Sequence, residues 1–384
     1  MMTADTETFV PLMKRSKGFD ELKKLVIDQG ICSGCSTCAA FCERITLDEN
    51  GQAQLAEGAE CNMNIGAVQC SDEGTCYDVC PMVSFSKPEL EKEFFGDVRK
   101  DQDLGYYRKI VAARSKKKDI LDKAQDGGAV TSILAAALEA KLIDANVVTS
   151  RTDEWNTSAD LATKHDDLIA GAGTKYVRAP ATMKFGKSIR NARKIAMVGT
   201  GCQTLGATRA ITSLLKDTIE KTKESDTPLD FTLIGLFCFE NFPYGCIKEA
   251  LEREFGVKIG DIAKTDITRG KFIITKHDGT TDQKPVKAFD ECVPEACNIC
   301  TNFTSEFADI SVGSVGTDDG WSTVIARTEK GEKLLENAVK LGYLETKDEV
   351  NLEAVKKNRS IKQMKFDATS KKRKEEDKFV PEYD

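Results

Sequence analysis

Residues 194–204 read KIAMVGTGCQT, an apolar run closed by a glycine-bearing turn and a cysteine. The run KIAMVG (194–199) predicts a buried strand, and the turn opens a helix near Leu205–Leu215. FTLIGLFC (231–238) is a second buried strand that also ends in a cysteine. Working outward, AVTSILAAALEAKLI (129–143) carries strong helix formers, and ANVVTS (145–150) reads as a strand. GKFIITKHDGTTDQKPV (270–286) is a hairpin signal with Asp278-Gly279 at its turn. ADISVGSVG (308–316) and STVIART (322–328) read as strands, and EKGEKLLENAVKLG (329–342) as a helix. Strands alternating with helices predict an α/β (α+β) domain with a mixed sheet.

The chain has 384 residues, enough for two or three domains. Its net charge of -7 argues against general nucleic-acid binding. No apolar run approaches eighteen residues and the start lacks a signal-peptide core, so a cytoplasmic protein, peripheral at most to a membrane, is expected. Fourteen cysteines against two histidines, His165 and His277, point to thiolate-bound metal or redox chemistry. Thiolate selects zinc or iron–sulfur.

Eight of the cysteines fall between 32 and 80, which predicts a small cysteine-rich domain over 1–81. The charged segment 82–106 reads as a linker, 107–345 as the α/β domain, and 346–384 as a polar C-terminal extension whose last stretch, SKKRKEEDKFVPEYD, is extended or flexible. Cys32, Cys35, Cys38 and Cys42 form C-x2-C-x2-C-x3-C, the bacterial ferredoxin run in which the fourth cysteine serves the other cluster. Cys61, Cys70, Cys76 and Cys80 make a stretched second half, and Cys80-Pro81 matches the ferredoxin ending. This assigns Cys32, Cys35, Cys38 and Cys80 to one [4Fe–4S] cluster and Cys42, Cys61, Cys70 and Cys76 to a second, in a ferredoxin-like domain. Cys42 is followed by Glu43 rather than proline. Two structural zinc sites are the alternative, against which the run's spacing counts.

Cys297 and Cys300 form a C-x2-C loop. With Cys202 and Cys238 at strand ends, where ligands gather in α/β sheets, they make a third four-thiol set. Spacing alone leaves this open against buried thiols plus one structural loop. Cys246 and Cys292 read as ordinary thiols. Gly199-Thr200-Gly201 is followed by Gly206, so it is not G-x-G-x-x-G. Gln125-Asp126-Gly127-Gly128 precedes a helix whose amides suit a phosphate, or is a simple helix-entry turn. GSVGTDDGW (313–321) suits a planar ligand against backbone, or a surface turn.

From about 105 to 345 the chain resembles the coenzyme F420 hydrogenase/dehydrogenase β-subunit family. The matching motifs are VAARSKKK (111–118), QDGGAVTS (125–132), GTKY (173–176), VGTGCQT (198–204), FCFENFPY (237–244), GKF (270–272), CNIC (297–300) and DISVGSVGTDDGWSTV (309–324), in the family's order. The family has proline where Gly201 stands. The resemblance implies bound FAD, an adjoining F420 site and a third [4Fe–4S] cluster on Cys202, Cys238, Cys297 and Cys300. It implies flavin or deazaflavin contacts at Gln125, Asp126, Gly127, Gly128, Gly173, Thr174, Lys175, Tyr176, Arg178, Gly199, Thr200, Asn241, Lys271, Gly313, Ser314, Gly316 and Trp321.

F420 transfers hydride and clusters take single electrons, so a flavin between them matches the two. No acid–base residue is required for this. F420 has a phosphate and a glutamate tail, for which Arg178, Lys184, Arg190 and Arg193 are candidate partners, or ordinary surface charge. The N-terminal cysteines imply an exit to a ferredoxin or a larger redox complex of F420H2 dehydrogenase, formate dehydrogenase, hydrogenase or heterodisulfide-reductase type. An NAD(P)H-dependent flavoprotein and a docking subunit without its own F420 site are the alternatives; a nicotinamide fingerprint is lacking.

Overall fold

The computed structural model describes residues 18–61, 74–189 and 191–383. Its largest element is an eight-stranded mixed sheet. Two short strands, β1 (Ile45–Leu47) and β2 (Ala53–Leu55), pair separately near the N-terminus. The main sheet takes β3 (Lys109–Ser115), β4 (Ala145–Arg151), β5 (Thr157–Ala162), β6 (Lys194–Thr200) and β7 (Asp230–Leu236). A small antiparallel sheet, β8 (Ile262–Thr268), β9 (Lys271–Lys276) and β10 (Thr281–Pro285), contains the hairpin at Asp278-Gly279. The main sheet is completed by β11 (Ile310–Gly313), β12 (Ser322–Ala326) and β13 (Leu344–Lys347), in the order β13-β3-β12-β11-β7-β6-β4-β5.

The four central strands β11, β7, β6 and β4 are parallel. Their near-continuous apolar runs follow from coverage on both faces. One face packs the Ala129–Glu139 and Glu329–Lys340 helices through Ile133, Ala136, Leu334 and Leu335. The other packs Phe185, Ala207 and Ala210 against Ile195, Met197 and Leu233. Both flanks of the sheet are antiparallel, so it is mixed, as the element pattern predicts.

Three sequence expectations are corrected. The segment expected as a linker carries a helix, Lys87–Phe95, whose first turn is capped by Ser86. Some of its charges are paired in the interior: Arg99 binds buried Glu91 and, from beyond the segment, buried Glu306. The C-terminal stretch is not extended throughout. A helix spans Leu352–Glu375, and Arg373, fully buried, binds Glu295 at 2.7 Å and the carbonyl of Gln29. Beyond it, Glu382 pairs with Ser84 and Phe85, and Tyr383 packs edge-on against Phe85. Cys246 and Cys292 are not separate thiols but a disulfide, because the Tyr244–Phe255 helix and the Val286–Cys292 turn share one core around Phe255 and Phe289.

The core of the cysteine-rich segment is drawn mostly from residues 19–83 and is continued by residues of the larger domain. Phe19, Leu22, Val26 and Ile31 pack with Ala296 and Ile299, and with Met183, Phe366 and Phe379 at the edge. The Thr37–Phe41 helix lies directly on two glycines: a Cβ at Gly186 would stand 2.7 Å from that of Ala40, and one at Gly206 would collide with Thr37.

Candidate functional site

The site is built at the carboxyl ends of β6 and β7. Their register pairs Thr200 with Leu236, so Cys202 and Cys238, each two residues further on, leave the sheet side by side. The C-x2-C loop is drawn to both. Asn302 donates its amide to the Gly201 carbonyl at 3.1 Å, and the Cys238 amide donates to the Phe303 carbonyl at 2.9 Å. A Cβ at Gly201 would stand 3.0 Å from Asn302, a tight fit that the side-chain-free residue relieves.

The four thiols sense one another. Burial, then the Cys300 thiol, raises Cys202, while a hydrogen bond from Thr200 opposes the rise. Burial pushes Cys297 up to about 11, and Cys238 well above its ordinary range. Lys362 counters the rise at both, and it meets the whole set. Burial pulls its own pKa down, but Cys300, Cys238, Cys297 and Cys202 outweigh this, and the net direction is up.

The first ferredoxin set also converges. Cys32, Cys35, Cys38 and Cys80 line one cavity, walled by Leu22, Val26 and Met82. Burial first, then Cys202, raises Cys35 to about 12, and Gly206, on the helix that carries Cys202, lies against Thr37 beside this cavity. Of the second set, Cys42, Cys61 and Cys76 are placed and Cys70 lies outside the described residues. Cys76 is buried next to Cys38, whereas Cys61 is exposed beside Gly18. Among the described residues no three His, Cys, Asp or Glu side chains converge on a single-ion position. Thiols spread round a cavity suit the larger body of a cubane, and the all-sulfur donor sets fit iron–sulfur.

Beside the distal set the glycine loops meet. Gln125 accepts from the Thr174 amide at 3.4 Å and donates to the Thr265 carbonyl at 3.5 Å, joining the QDGG turn, the GTKY loop and β8. Gly127 permits this: a Cβ there would stand 2.6 Å from the Ala113 carbonyl. Gly128 leads into the Ala129–Glu139 helix. Lys175 donates to the carbonyls of Gly171, Ala172 and Gly173, and burial, then Arg151, lowers it to about 8. Phe242 exchanges backbone hydrogen bonds with Tyr176 and Arg178, which brings Asn241 to the same loop. Thr200 caps the Gly201–Thr212 helix with Gln203, whose amide reaches the Ala179 carbonyl and ties Gly199-Thr200 to this cluster.

The 313–321 loop ends against the QDGG turn, where a Cβ at Gly127 would stand 2.8 Å from the Ser322 amide nitrogen. Lys271 is exposed on β9 and bonds Gln283. Arg178 reaches the Asn50 and Cys32 carbonyls of the cysteine-rich segment. Gly313 lies against Phe237, with Ser314 next in the loop, and the Gly316 carbonyl accepts from the Asn351 amide. Trp321 lies under Lys347. Lys184 sits on the Ala181–Ser188 helix, the Arg193 amide binds Asp144, and Arg190 lies outside the described residues. Sequence reading missed β8: Tyr176 donates to Asp266 at 3.4 Å and accepts from the Ile267 amide. Burial, then Asp266, raises Asp126 to about 6. The alternation in IAKTDIT was the only available signal.

Comparison with known proteins matches two adjoining family profiles, both described as "Coenzyme F420 hydrogenase/dehydrogenase, beta subunit". Residues 110–184 match the profile of its N-terminal part and residues 192–352 that of its C-terminal part. The coenzyme F420 hydrogenase subunit beta of Methanococcus voltae is 39% identical over 64% of this chain and 86% of its own length. An F(420)H(2) dehydrogenase subunit of Methanosarcina mazei is 32% identical over 80% of this chain and 82% of its own. A chain of the F420-reducing [NiFe] hydrogenase complex from Methanosarcina barkeri superposes with a TM-score of 0.64 at 33% identity, over 72% of this chain and 94% of that one.

Proposed function

The chain belongs to the coenzyme F420 hydrogenase/dehydrogenase β-subunit family, whose members are F420-dependent oxidoreductases, and on that premise we propose that it passes hydride between F420 and FAD and single electrons through [4Fe–4S] clusters to or from a partner. When bound, the two ring cofactors supply hydride exchange and the clusters supply one-electron steps. The observation that carries this reading is the meeting of Cys202, Cys238, Cys297 and Cys300 beside the joined QDGG and GTKY loops.

The residues divide the work. The QDGG turn offers amides at a helix N-terminus to an anionic group. Lys175, spent on three carbonyls, shapes the Gly171–Gly173 turn. The distal thiols would hold one cluster, and Cys32, Cys35, Cys38 and Cys80, which line one cavity, would hold a second. Cys42, Cys61, Cys70 and Cys76 are assigned a third. Electrons leaving by the cysteine-rich segment would serve a ferredoxin or a larger complex of F420-dependent hydrogenase or dehydrogenase type. Among the described residues no helix is long and apolar enough to cross a membrane.

Anaerobically purified protein is expected to carry FAD and, from three four-thiol sets, about twelve irons. Adding F420H2 should bleach the visible spectrum. Zinc in place of iron, or a spectrum that F420H2 leaves unchanged, would sink this reading.

A further inference from the structure

The C-terminal helix begins at Leu352, where the family match ends. It lies over the distal thiols. Lys356 pairs with Asp101 and Lys365 with Glu240, holding the helix on either side of Lys362. Lys362 is only 2% exposed. Its ammonium donates to the carbonyls of Cys238 at 2.8 Å and Phe239 at 2.9 Å, and it has no carboxylate partner among the described residues.

A buried ammonium costs several kcal/mol unless an opposite charge meets it. Two carbonyl dipoles offset only part of that cost. The ammonium sits on the backbone of Cys238, one of the four thiols Cys202, Cys238, Cys297 and Cys300, which would carry negative charge as cluster ligands.

We propose that Lys362 is the built-in countercharge of the Cys202/Cys238/Cys297/Cys300 site, a positioning residue that pins the 238–239 loop and makes the bound cluster easier to reduce. The proposal rests on the iron–sulfur reading of that site. Cluster potentials follow net charge, hydrogen bonding and exposure. A fixed positive charge in a dry interior favours the form holding one more electron, and salt screens it little.

The test uses the full chain, purified anaerobically, as wild type, Lys362→Met and Lys362→Arg. Iron per chain is measured, and each cluster's midpoint is followed by EPR-monitored redox titration. Lys362→Met should keep its iron and move one midpoint to more negative potential, by tenfold or more in its electron-sharing equilibrium, which is about 59 mV for one electron. Lys362→Arg should restore the wild-type midpoint. Full iron with every midpoint unmoved in Lys362→Met overturns the countercharge. If Lys362→Met loses iron, retention of iron and midpoint in Lys362→Arg supports the charge role, and loss in both assigns Lys362 to shape alone and overturns it. Cys297→Ser separates the two readings. If that variant loses a cluster's iron while Lys362→Met moves nothing, the countercharge alone falls. If it keeps all its iron, the site reading falls and the countercharge with it.

Discussion

Asp126 shows what a single residue feels at this site. Its ordinary pKa of 3.8 rises to about 6 because burial penalises the carboxylate and Asp266 repels it, with Lys264 pulling the other way. A carboxyl whose folded pKa is raised takes up a proton on folding between about pH 4 and 6. The carboxylate thus opposes folding increasingly as pH climbs through that window, and fully above it. Asp126→Asn should therefore be more stable to urea than wild type at pH 7.5, and the gain should vanish near pH 4. An equal gain at both pH values would show that the charge is not the cause. The QDGG motif was legible in sequence, but its tension with Asp266 was not. The two residues meet only because Gln125 ties the turn to β8.

At the scale of elements, the contact of the Thr37–Phe41 helix with Gly186 and Gly206 decides how the cysteine-rich segment sits. Adding volume to such a close contact costs typically about 1–3 kcal/mol. Gly206→Val should lower the melting temperature and reduce iron at the Cys32/Cys35/Cys38/Cys80 site, while the distal thiols keep theirs. Iron content and thermal melting would check this, and wild-type values of both would refute the close-packing argument. The buried strands β4, β6 and β7 and the β9–β10 hairpin were legible because apolar runs and an Asp-Gly turn are local signals. The Lys87–Phe95 helix and the C-terminal helix were not. Their high charge reads as solvation until partners such as Arg99 for Glu91 and Glu295 for Arg373 are in place.

For the whole molecule, cysteine-rich segment, sheet and C-terminal helix share cores. Phe41 and Val79 pack with the residues under β6 and β7, and Phe366 packs with those around Cys38. Cooperative units follow shared packing. The full chain is expected to unfold on heating in one calorimetric transition. Two well-separated transitions, with the cysteine-rich segment melting first, would contradict it.

The sequence by itself determined the alternation of strands and helices, the ferredoxin spacing at Cys32–Cys42, the four distal cysteines and the family motifs, because each is written in residues near one another or in a fixed order of local signals. Tertiary structure alone decided that Cys246 pairs with Cys292 across 46 residues, that Lys362 meets the carbonyl of Cys238 across 124, and that the helix carrying Cys202 packs through Gly206 onto Thr37. Local spacing constrains a turn or a strand, whereas the partner of a buried thiol or ammonium is whatever side chain the packed core brings to it.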